Sequence, residues 1–287
     1  MEHWISWFHE QTHGDEVSQV ARAAESLGFT GVALSDHVAI PRNHTVLHPQ
    51  TGQTYDYRLP MIDPFTVAAS MGAVTNRLRF MTYALVGGMR DPFSIARQAG
   101  SLAGLTDNRF ALGITPGWLT DEIALLGHDP KTRGKRLDEA LQVIRGLWTH
   151  DLFSFEGEHY RFEEVAMCPL PAVAPRILIG GNSAKSFTRA SRFDGWIGMT
   201  PRLEEITEVS RIVRSTEGDK SIYCIPSEPM SPDYLSRLEV AGVDGLVHMI
   251  WFPGCLLYTS DAADDSKRVE LAGGGGCVCG GGGGGGG

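Results

Sequence analysis

The sequence predicts an α/β fold, a closed (β/α)8 TIM barrel, from two features of the chain. Short apolar segments alternate with amphipathic ones, which is the pattern of parallel strands connected by helices. The chain is also long enough, because a barrel of this class needs roughly 250 residues and 287 are present. An open doubly wound sheet has the same alternation, so periodicity alone leaves both architectures open.

The barrel strands are predicted at eight short apolar stretches, each bounded by polar or turn-forming residues. In chain order they are residues 3–8, 30–35, 78–86, 109–114, 176–179, 194–198, 221–225 and 243–249. Between the fourth and the fifth strand, residues 152–170 are predicted to form a loop or a small hairpin.

Helices are predicted between these strands from their capping residues. The first begins at Asp15, a residue type that caps helix N-termini, and ends at Gly28. Pro64 and Pro92 each follow an aspartate. Because proline is favoured in the first helical turn, helices are predicted to begin at both positions. Further helices are predicted over residues 117–126 and 131–148.

The segment from Val38 to Leu59 interrupts this pattern. It is polar, contains proline and shows neither helical nor strand periodicity. It is also longer than the usual strand-to-helix connection, and long connections of this kind are commonly functional lids or disordered. We expect it to cover the substrate at one end of the barrel.

The chain is predicted to divide into a barrel domain, residues 1–254, and a non-native tail, residues 255–287. Twelve of the last fifteen residues are glycine, and oligoglycine has no side chain to bury and much backbone entropy to lose. The stretch that begins at Cys255 also resembles the translation of a sequencing adapter. We therefore expect the tail to be disordered, and the final helix of the barrel, after Trp251, to be missing.

Composition and charge exclude several classes of partner. The formal net charge is −9, and an acidic surface repels phosphate backbones and anionic membranes, so neither nucleic acid nor a membrane is expected as a partner. The first residues lack a secretory signal, so a cytoplasmic location is expected. The five cysteines form neither a disulfide framework nor a zinc-binding pattern.

Four segments of the chain form a recognisable set. They are SDHVAIP at 35–41, RLRFMTYALVGGMRDP at 77–92, RFALGITPGWLTDEIALLG at 109–127 and ILIGGNSAKSFTRASRFDGW at 177–196. In this order and spacing they resemble the luciferase-like monooxygenase family, most closely its deazaflavin-dependent branch. The resemblance implies an oxidoreductase that binds coenzyme F420, with FMN as the alternative, and transfers hydride or activated oxygen to a small organic substrate. Members of the family are often homodimers, and the oligomeric state of this chain stays open.

Asp36 and His37 are the candidate catalytic residues. They follow the second predicted strand, at the barrel mouth where enzymes of this fold build their active sites. A histidine there can exchange protons near neutral pH, and the resemblance implies that His37 lies beside the reactive ring face. Asp36 can orient His37 only if the chain turns between them. The alternative for His37 is a hydrogen-bonded lid residue without a catalytic role.

Two further strand ends supply candidate cofactor contacts. The resemblance implies a bulge with a non-prolyl cis peptide at Tyr83–Ala84 that presses against the central ring, whereas the residues alone are equally typical of a plain core strand. On the fourth strand, Gly113 lets the backbone approach a ligand closely. Thr115 stands where the family commonly has another glycine, so the contact at this position is expected to differ.

The turn after the fifth strand is the candidate phosphate site. Its residues Gly180, Gly181, Asn182 and Ser183 join an apolar strand to a helix, and the free N–H groups of a helix start favour an anion. Asn182 or Ser183 is predicted to cap this helix. A glycine turn with a cap but no ligand is the alternative.

His9 and Trp118 are candidates for the substrate pocket. Trp118 is equally typical of plain helix packing. His9, His37, Asp36 and Asp63 are also residue types that bind metals, but the first strand lacks the His-x-His pair with which barrel hydrolases begin such a site, so no metal is expected. A flavin-binding protein without turnover remains a further alternative.

Overall fold

The strands of the barrel are short and follow the predicted order. The computed structural model describes residues 1–7, 14–199 and 201–249. In chain order the strands are β1 (Glu2–Trp7), β2 (Gly31–Leu34), β3 (Arg79–Thr82), β4 (Leu85–Val86), β5 (Phe110–Thr115), β6 (Phe153–Glu156), β7 (Arg161–Val165), β8 (Arg176–Gly180), β9 (Gly195–Met199), β10 (Ser221–Ile225) and β11 (Gly245–His248).

The parallel strands close into a ring. β1 pairs with β2 on one side and with β11 on the other, and the pairing of β3 with β5 completes the circle. β3 and β4 share one position in it, because both pair with β5. β6 and β7 form a separate antiparallel hairpin. The prediction of a closed (β/α)8 barrel is confirmed, and the open doubly wound sheet is excluded.

Helices cover the outside of the ring. They are α1 (Gly14–Ser26), α2 (Pro64–Gly72), α3 (Pro92–Leu105), α4 (Thr120–Leu125), α5 (Arg133–Thr149), α6 (Ala184–Ala190), α7 (Leu203–Val213) and α8 (Pro232–Val240). The predicted starts of α2 and α3 are confirmed, because Asp63 and Asp91 accept hydrogen bonds from backbone N–H groups three residues later, each at 2.8 Å. Gly28 ends α1 with a positive φ of 82°, a conformation that glycine adopts readily.

Alternate residues of each strand face two different cores, as the pleat of a strand requires. Trp4, Met81 and Tyr223 belong to the cluster inside the barrel. Ile5 and Phe80, their neighbours in sequence, belong to the larger cluster between strands and helices. The interior is therefore packed with side chains below the cavity that holds the candidate site.

Three regions bear on the remaining expectations. The third predicted strand, residues 78–86, is interrupted, because β3 ends before Tyr83 and β4 begins after Ala84. The lid, residues 38–59, contains neither helix nor strand. The tail predicted over 255–287, and the helix predicted after Trp251, lie outside the described residues. Among the helices of the described ranges, none combines the length and the apolar character needed to cross a membrane.

Candidate active site

A cavity of about 690 Å³ opens at the C-terminal ends of the barrel strands. The strand ends form its floor and walls, and the lid covers it. Active sites of (β/α)8 barrels are built at this end, so the cavity lies where the fold predicts one. The predicted site residues that line it are Asp36, His37, Tyr83, Ala84, Thr115, Trp118, Gly180, Gly181, Asn182 and Ser183.

His37 is held by a buried carboxylate from α4. Its Nδ1 lies 2.6 Å from Oε2 of Glu122, whose side chain is 1% exposed. Burial acts to raise the pKa of Glu122, but the hydrogen bonds from His37 and from the backbone N–H groups of Val38 and Ala39 outweigh it, so this pKa is lowered. Because ionised Glu122 accepts from Nδ1–H, Nε2 is the ring nitrogen of His37 that can exchange a proton with a ligand.

Asp36 has a different partner from the one that the sequence suggested. Its carboxylate accepts hydrogen bonds from Arg90 Nη2 at 2.5 Å and from the backbone N–H of Val86 at 2.9 Å. These bonds tie the end of β2 to β4 and to the segment before α3. Asp36 therefore positions the wall of the cavity, and the residue that orients His37 is Glu122.

The cavity floor lies where the ends of three strands meet. A Cβ atom added to Gly180 would lie 3.2 Å from Cβ of Ala84 and 3.3 Å from Cβ of Thr115, which is close packing. The Tyr83–Ala84 peptide bond is cis, as the resemblance predicted. The Tyr83 hydroxyl donates to the carbonyl oxygen of Gly198. The floor is thus a compact surface of small side chains and backbone, and the hydrogen bond of the half-buried Tyr83 fixes it.

Gly113 does not belong to the residues that line the cavity. A Cβ atom at this position would overlap the carbonyl oxygen of Thr82 on β3. The Thr82 hydroxyl also donates to the carbonyl oxygen of Gly113 at 2.7 Å. The structure therefore gives this glycine the role of letting β5 approach β3, in place of the predicted cofactor contact.

The turn after β8 is shaped by side-chain hydrogen bonds. Ser183 caps α6, because its Oγ accepts from the backbone N–H of Ser186 at 3.2 Å. Asn182 donates through Nδ2 to the carbonyl oxygen of Met199 at 3.0 Å. Ser183 is thus the cap of this helix, one of the two residues that the sequence had proposed.

Arg133, at the start of α5, also lines the cavity. Arg189, in the last turn of α6, donates to the carbonyl oxygen of Gly134 at 3.3 Å, so the end of α6 contacts the start of α5. The Arg133 guanidinium donates to the carbonyl oxygens of Gly117 and Pro130. Among the described residues that line the cavity, no other arginine or lysine is present, so this side of the cavity carries its positive charge.

The lid closes on the cavity through a cluster of rings. Tyr55 and His48 stack with their centroids 5.2 Å apart and an angle of 8° between their planes. Both rings meet Trp118 edge-on at 5.0 Å. His37 lies 5.7 Å from Trp118 and 5.6 Å from Tyr55, also edge-on. These four rings, His37, His48, Tyr55 and Trp118, are called the ring cluster below.

Comparison with known proteins identifies the family. The family model described as luciferase-like monooxygenase matches residues 3–219. The chain belongs to the luciferase-like monooxygenase family. A protein of Mycobacterium tuberculosis without a characterised function is 34% identical over 237 residues, which are 79% of this chain and 82% of that protein. An FMNH2-dependent dimethylsulfone monooxygenase of Pseudomonas fluorescens is 33% identical over 129 residues, 43% of this chain and 35% of that protein.

Solved structures of other proteins share the fold of this luciferase-like chain. An F420-dependent secondary alcohol dehydrogenase has a TM-score of 0.68 and 14% identity, over 86% of this chain and 92% of the other. A monooxygenase from Streptomyces bottropensis has a TM-score of 0.66 and 22% identity, over 84% and 75%. At these identities the likeness shows the fold alone.

Sequence reasoning missed four residues of this luciferase-like cavity: Glu122, Arg133, His48 and Tyr55. Glu122 lies within the segment 109–127 that carries the resemblance, and an acidic residue directly before apolar Ile123 was a signal that could have been followed. The other three carry no local signal, because neither the lid nor the start of α5 shows which of its side chains face a cavity.

Two further expectations from the sequence concern His9 and a metal site. His9, the second pocket candidate, lies outside the described residues. Within residues 1–7, 14–199 and 201–249, histidine, cysteine and carboxylate side chains form no group of three or more that would hold a metal ion.

Proposed function

We propose that this luciferase-like protein is an oxidoreductase that binds coenzyme F420, or alternatively FMN, and uses it on a small organic substrate. The observation that carries the proposal is the joint presence, in one cavity, of the compact floor at Ala84, Thr115 and Gly180 and the imidazole of His37 fixed by Glu122. The family assignment supports it.

The cavity fits such a cofactor in size and shape. Sites for ligands of this size have volumes of roughly 300–1,000 Å³, and this cavity has about 690 Å³. A flat ring system requires a surface without protruding side chains, which the floor provides. Its phosphate would lie toward Arg133 and the turn of Gly180 to Ser183, since a guanidinium and free N–H groups are good phosphate ligands.

The chain itself supplies position and a proton. When bound, the cofactor supplies hydride transfer or oxygen activation, which amino-acid side chains do not provide. His37 gives a proton to a substrate oxygen, or takes one from it, at Nε2. Glu122 holds the imidazole in the tautomer that this transfer requires and stabilises the imidazolium when it forms. The ring cluster covers the cavity and excludes water from it.

A fluorescence titration of the full chain with FMN and with F420 tests the proposal. We expect F420 to bind tightly, and the binding to be seen as quenching of its fluorescence. Gly180→Ala narrows the floor and is expected to weaken binding by about tenfold, a cost of about 1.4 kcal/mol. Gly104→Ala is the matched control, because its added Cβ meets no atom within 4 Å and should leave binding unchanged.

Each result has a definite meaning. Preference for FMN over F420 selects the alternative cofactor for the same cavity. Binding of neither, by a chain shown to be folded, would overturn the proposal. Equal weakening by Gly180→Ala and Gly104→Ala would show that the cofactor does not lie on the floor at Gly180.

A further inference from the structure

His48 brings a second imidazole into the cavity from the lid. It is 4% exposed and lines the cavity. Its Nδ1 faces the lid's own backbone, where the N–H groups of Gln50 and Thr51 donate to it at 3.4 and 3.3 Å. A neutral imidazole that accepts at Nδ1 carries its hydrogen on Nε2. Since Nδ1 is turned to the lid, Nε2–H is the group of His48 that is left for a ligand.

The two histidines of the cavity therefore have opposite tautomers. Burial lowers the pKa of His48 to about 4, and a positive charge on His37, when that ring is protonated, acts in the same direction. Near neutral pH the His48 ring is uncharged and is a hydrogen-bond donor at Nε2. In His37 the Nδ1–H group is bound to Glu122, which leaves its Nε2 as an acceptor.

Within the described part of the chain, no residue accepts a hydrogen bond from the Nε2–H group of His48. Its Nε2 makes no hydrogen bond to another residue of those ranges, although Nδ1 makes two. A donor that lines a cavity and has no hydrogen-bond partner among the described residues is a place where a ligand oxygen gains a hydrogen bond.

The surroundings of this donor restrict the chemistry of the ligand. The apolar faces and edges of Tyr55 and Trp118 lie beside it. The buried carboxylates of the cavity are already paired, Asp36 with Arg90 and Glu122 with His37. Asp56 of the lid also lines the cavity, but it is exposed to solvent, which screens its charge. A charged group on the ligand would therefore lose water without gaining a buried counter-charge at this end of the cavity.

We infer that His48 is the substrate's hydrogen-bond donor, and that the substrate class is uncharged molecules with a carbonyl or hydroxyl oxygen beside a flat apolar body. This inference rests on the proposed function. The oxygen accepts from Nε2–H of His48, which holds it, and faces Nε2 of His37. His37 takes the proton of a hydroxyl substrate at Nε2 or, as the imidazolium, gives a proton to a carbonyl substrate. The apolar body packs against Tyr55 and Trp118.

Two probes of equal shape test the inference on the full chain with the better-binding cofactor present. They are 4-fluoroacetophenone and 4-fluoro-α-methylstyrene, in which a CH2 group replaces the carbonyl oxygen, and ¹⁹F NMR titration gives the Kd of each. The ketone is expected to bind about fivefold more tightly, the value of one neutral hydrogen bond. His48→Phe, which keeps the ring stack, is expected to bring the ratio close to one.

Two further variants assign the donor. His48→Gln is expected to keep most of the ketone preference, because a glutamine amide can donate from a position near that of Nε2. Tyr55→Phe is also expected to keep it, since the tyrosine hydroxyl is the competing donor in the ring cluster. Loss of the preference in Tyr55→Phe, or its survival in His48→Phe, would overturn the role of His48.

Cofactor fluorescence measured in the same samples separates the two proposals. Quenched cofactor with equal Kd values for both probes overturns the inference and leaves the proposed function standing. A ketone preference that depends on His48, without cofactor binding, supports the subsite and removes the proposed function. Neither signal, from folded protein, overturns both.

Discussion

The floor and the lid of the cavity differ in what builds them. The floor consists of strand ends whose spacing is set by backbone pairing, so its residues, such as Gly180 and Thr115, are small. The lid has no regular structure and is held by side chains that reach across the molecule, such as Glu122 and the rings of Tyr55 and Trp118. The floor should therefore respond to added volume, and the lid to lost polar and ring contacts.

The largest effect is expected from adding one methyl group beneath the floor. In Gly113→Ala the new Cβ overlaps the Thr82 carbonyl oxygen and approaches Ile197, and neither strand can shift without breaking the pairing of β3 with β5. We expect a loss of more than about 4 kcal/mol in the free energy of unfolding, or no folded protein. Denaturant unfolding measures it.

Gly104→Ala is the control for this change. Its position on α3 is open, and alanine is a better helix former than glycine, so the expected effect is a gain of up to about 1 kcal/mol. If Gly113→Ala were as stable as wild type, β5 would not lie as close to β3 as described. The claim that backbone spacing sets the floor would then be contradicted.

A smaller loss is expected at the base of the lid. Glu122→Ala removes the acceptor of His37 and leaves the N–H groups of Val38 and Ala39 without their partner. We expect the free energy of unfolding to fall by about 3 kcal/mol. In ¹⁵N NMR spectra the His37 ring should also lose its preference for hydrogen on Nδ1.

The neighbouring acidic residue is the control for Glu122. Asp121→Ala changes the same helix, α4, and is expected to cost less than about 1 kcal/mol, the size of a helix-end charge effect. Equal losses in the two variants would mean that Glu122 acts only as a residue of α4, and that the lid is held by other contacts.

The same difference between floor and lid explains how much the sequence predicted. The barrel follows from local patterns, because each strand and helix carries its own periodicity and capping residues, such as Asp63 and Asp91. The cis bond at Tyr83–Ala84 was available through the family motif. Backbone positions inside a motif are therefore predictable, although the reason for Gly113 proved to be strand packing.

The lid could not be predicted in this way. The partner of His37 lies 85 residues further along the chain, and no local pattern connects two such positions. Asp36 was the candidate partner because it is adjacent in sequence, but its side chain turns to Arg90. His48 and Tyr55 lie in a segment without periodicity, so which of its side chains point inward depends on the folded structure alone.

The predicted position of the cofactor phosphate can be tested by adding a negative charge beside it with little change in structure. Ser183→Asp keeps a good N-cap for α6 and places a carboxylate where the cofactor phosphate is expected. We expect FMN to bind about tenfold more weakly, whereas riboflavin, which lacks the phosphate, should bind as before. Isothermal titration of both ligands measures the difference.

Ser231→Asp is the matched control for Ser183→Asp. Ser231 caps α8 in the same way, accepting from the backbone N–H of Tyr234, and it is not a lining residue of the cavity. Weakening of riboflavin along with FMN in Ser183→Asp would point to a changed floor. Weakening of FMN by Ser231→Asp would mean that general charge, and not the turn after β8, acts on the phosphate.

The smallest effect is expected from titration of the lid. The pKa of His48 in the folded protein is about 4, below its ordinary value of 6.5, so between these values the unfolded chain binds a proton that the native lid does not. Stability is therefore full above pH 6.5 and falls as the pH is lowered towards 4.

Between pH of about 7 and about 5, His48→Phe and His48→Gln should each show a fall in Tm that is smaller than that of wild type by roughly 2–4 °C. If only the phenylalanine variant showed this difference, apolar packing in the ring cluster would be the cause. If the change of Tm with pH were the same in both variants as in wild type, the His48 ring would be charged or exposed in the folded protein. The lid would then not be held by a buried, neutral ring at this position.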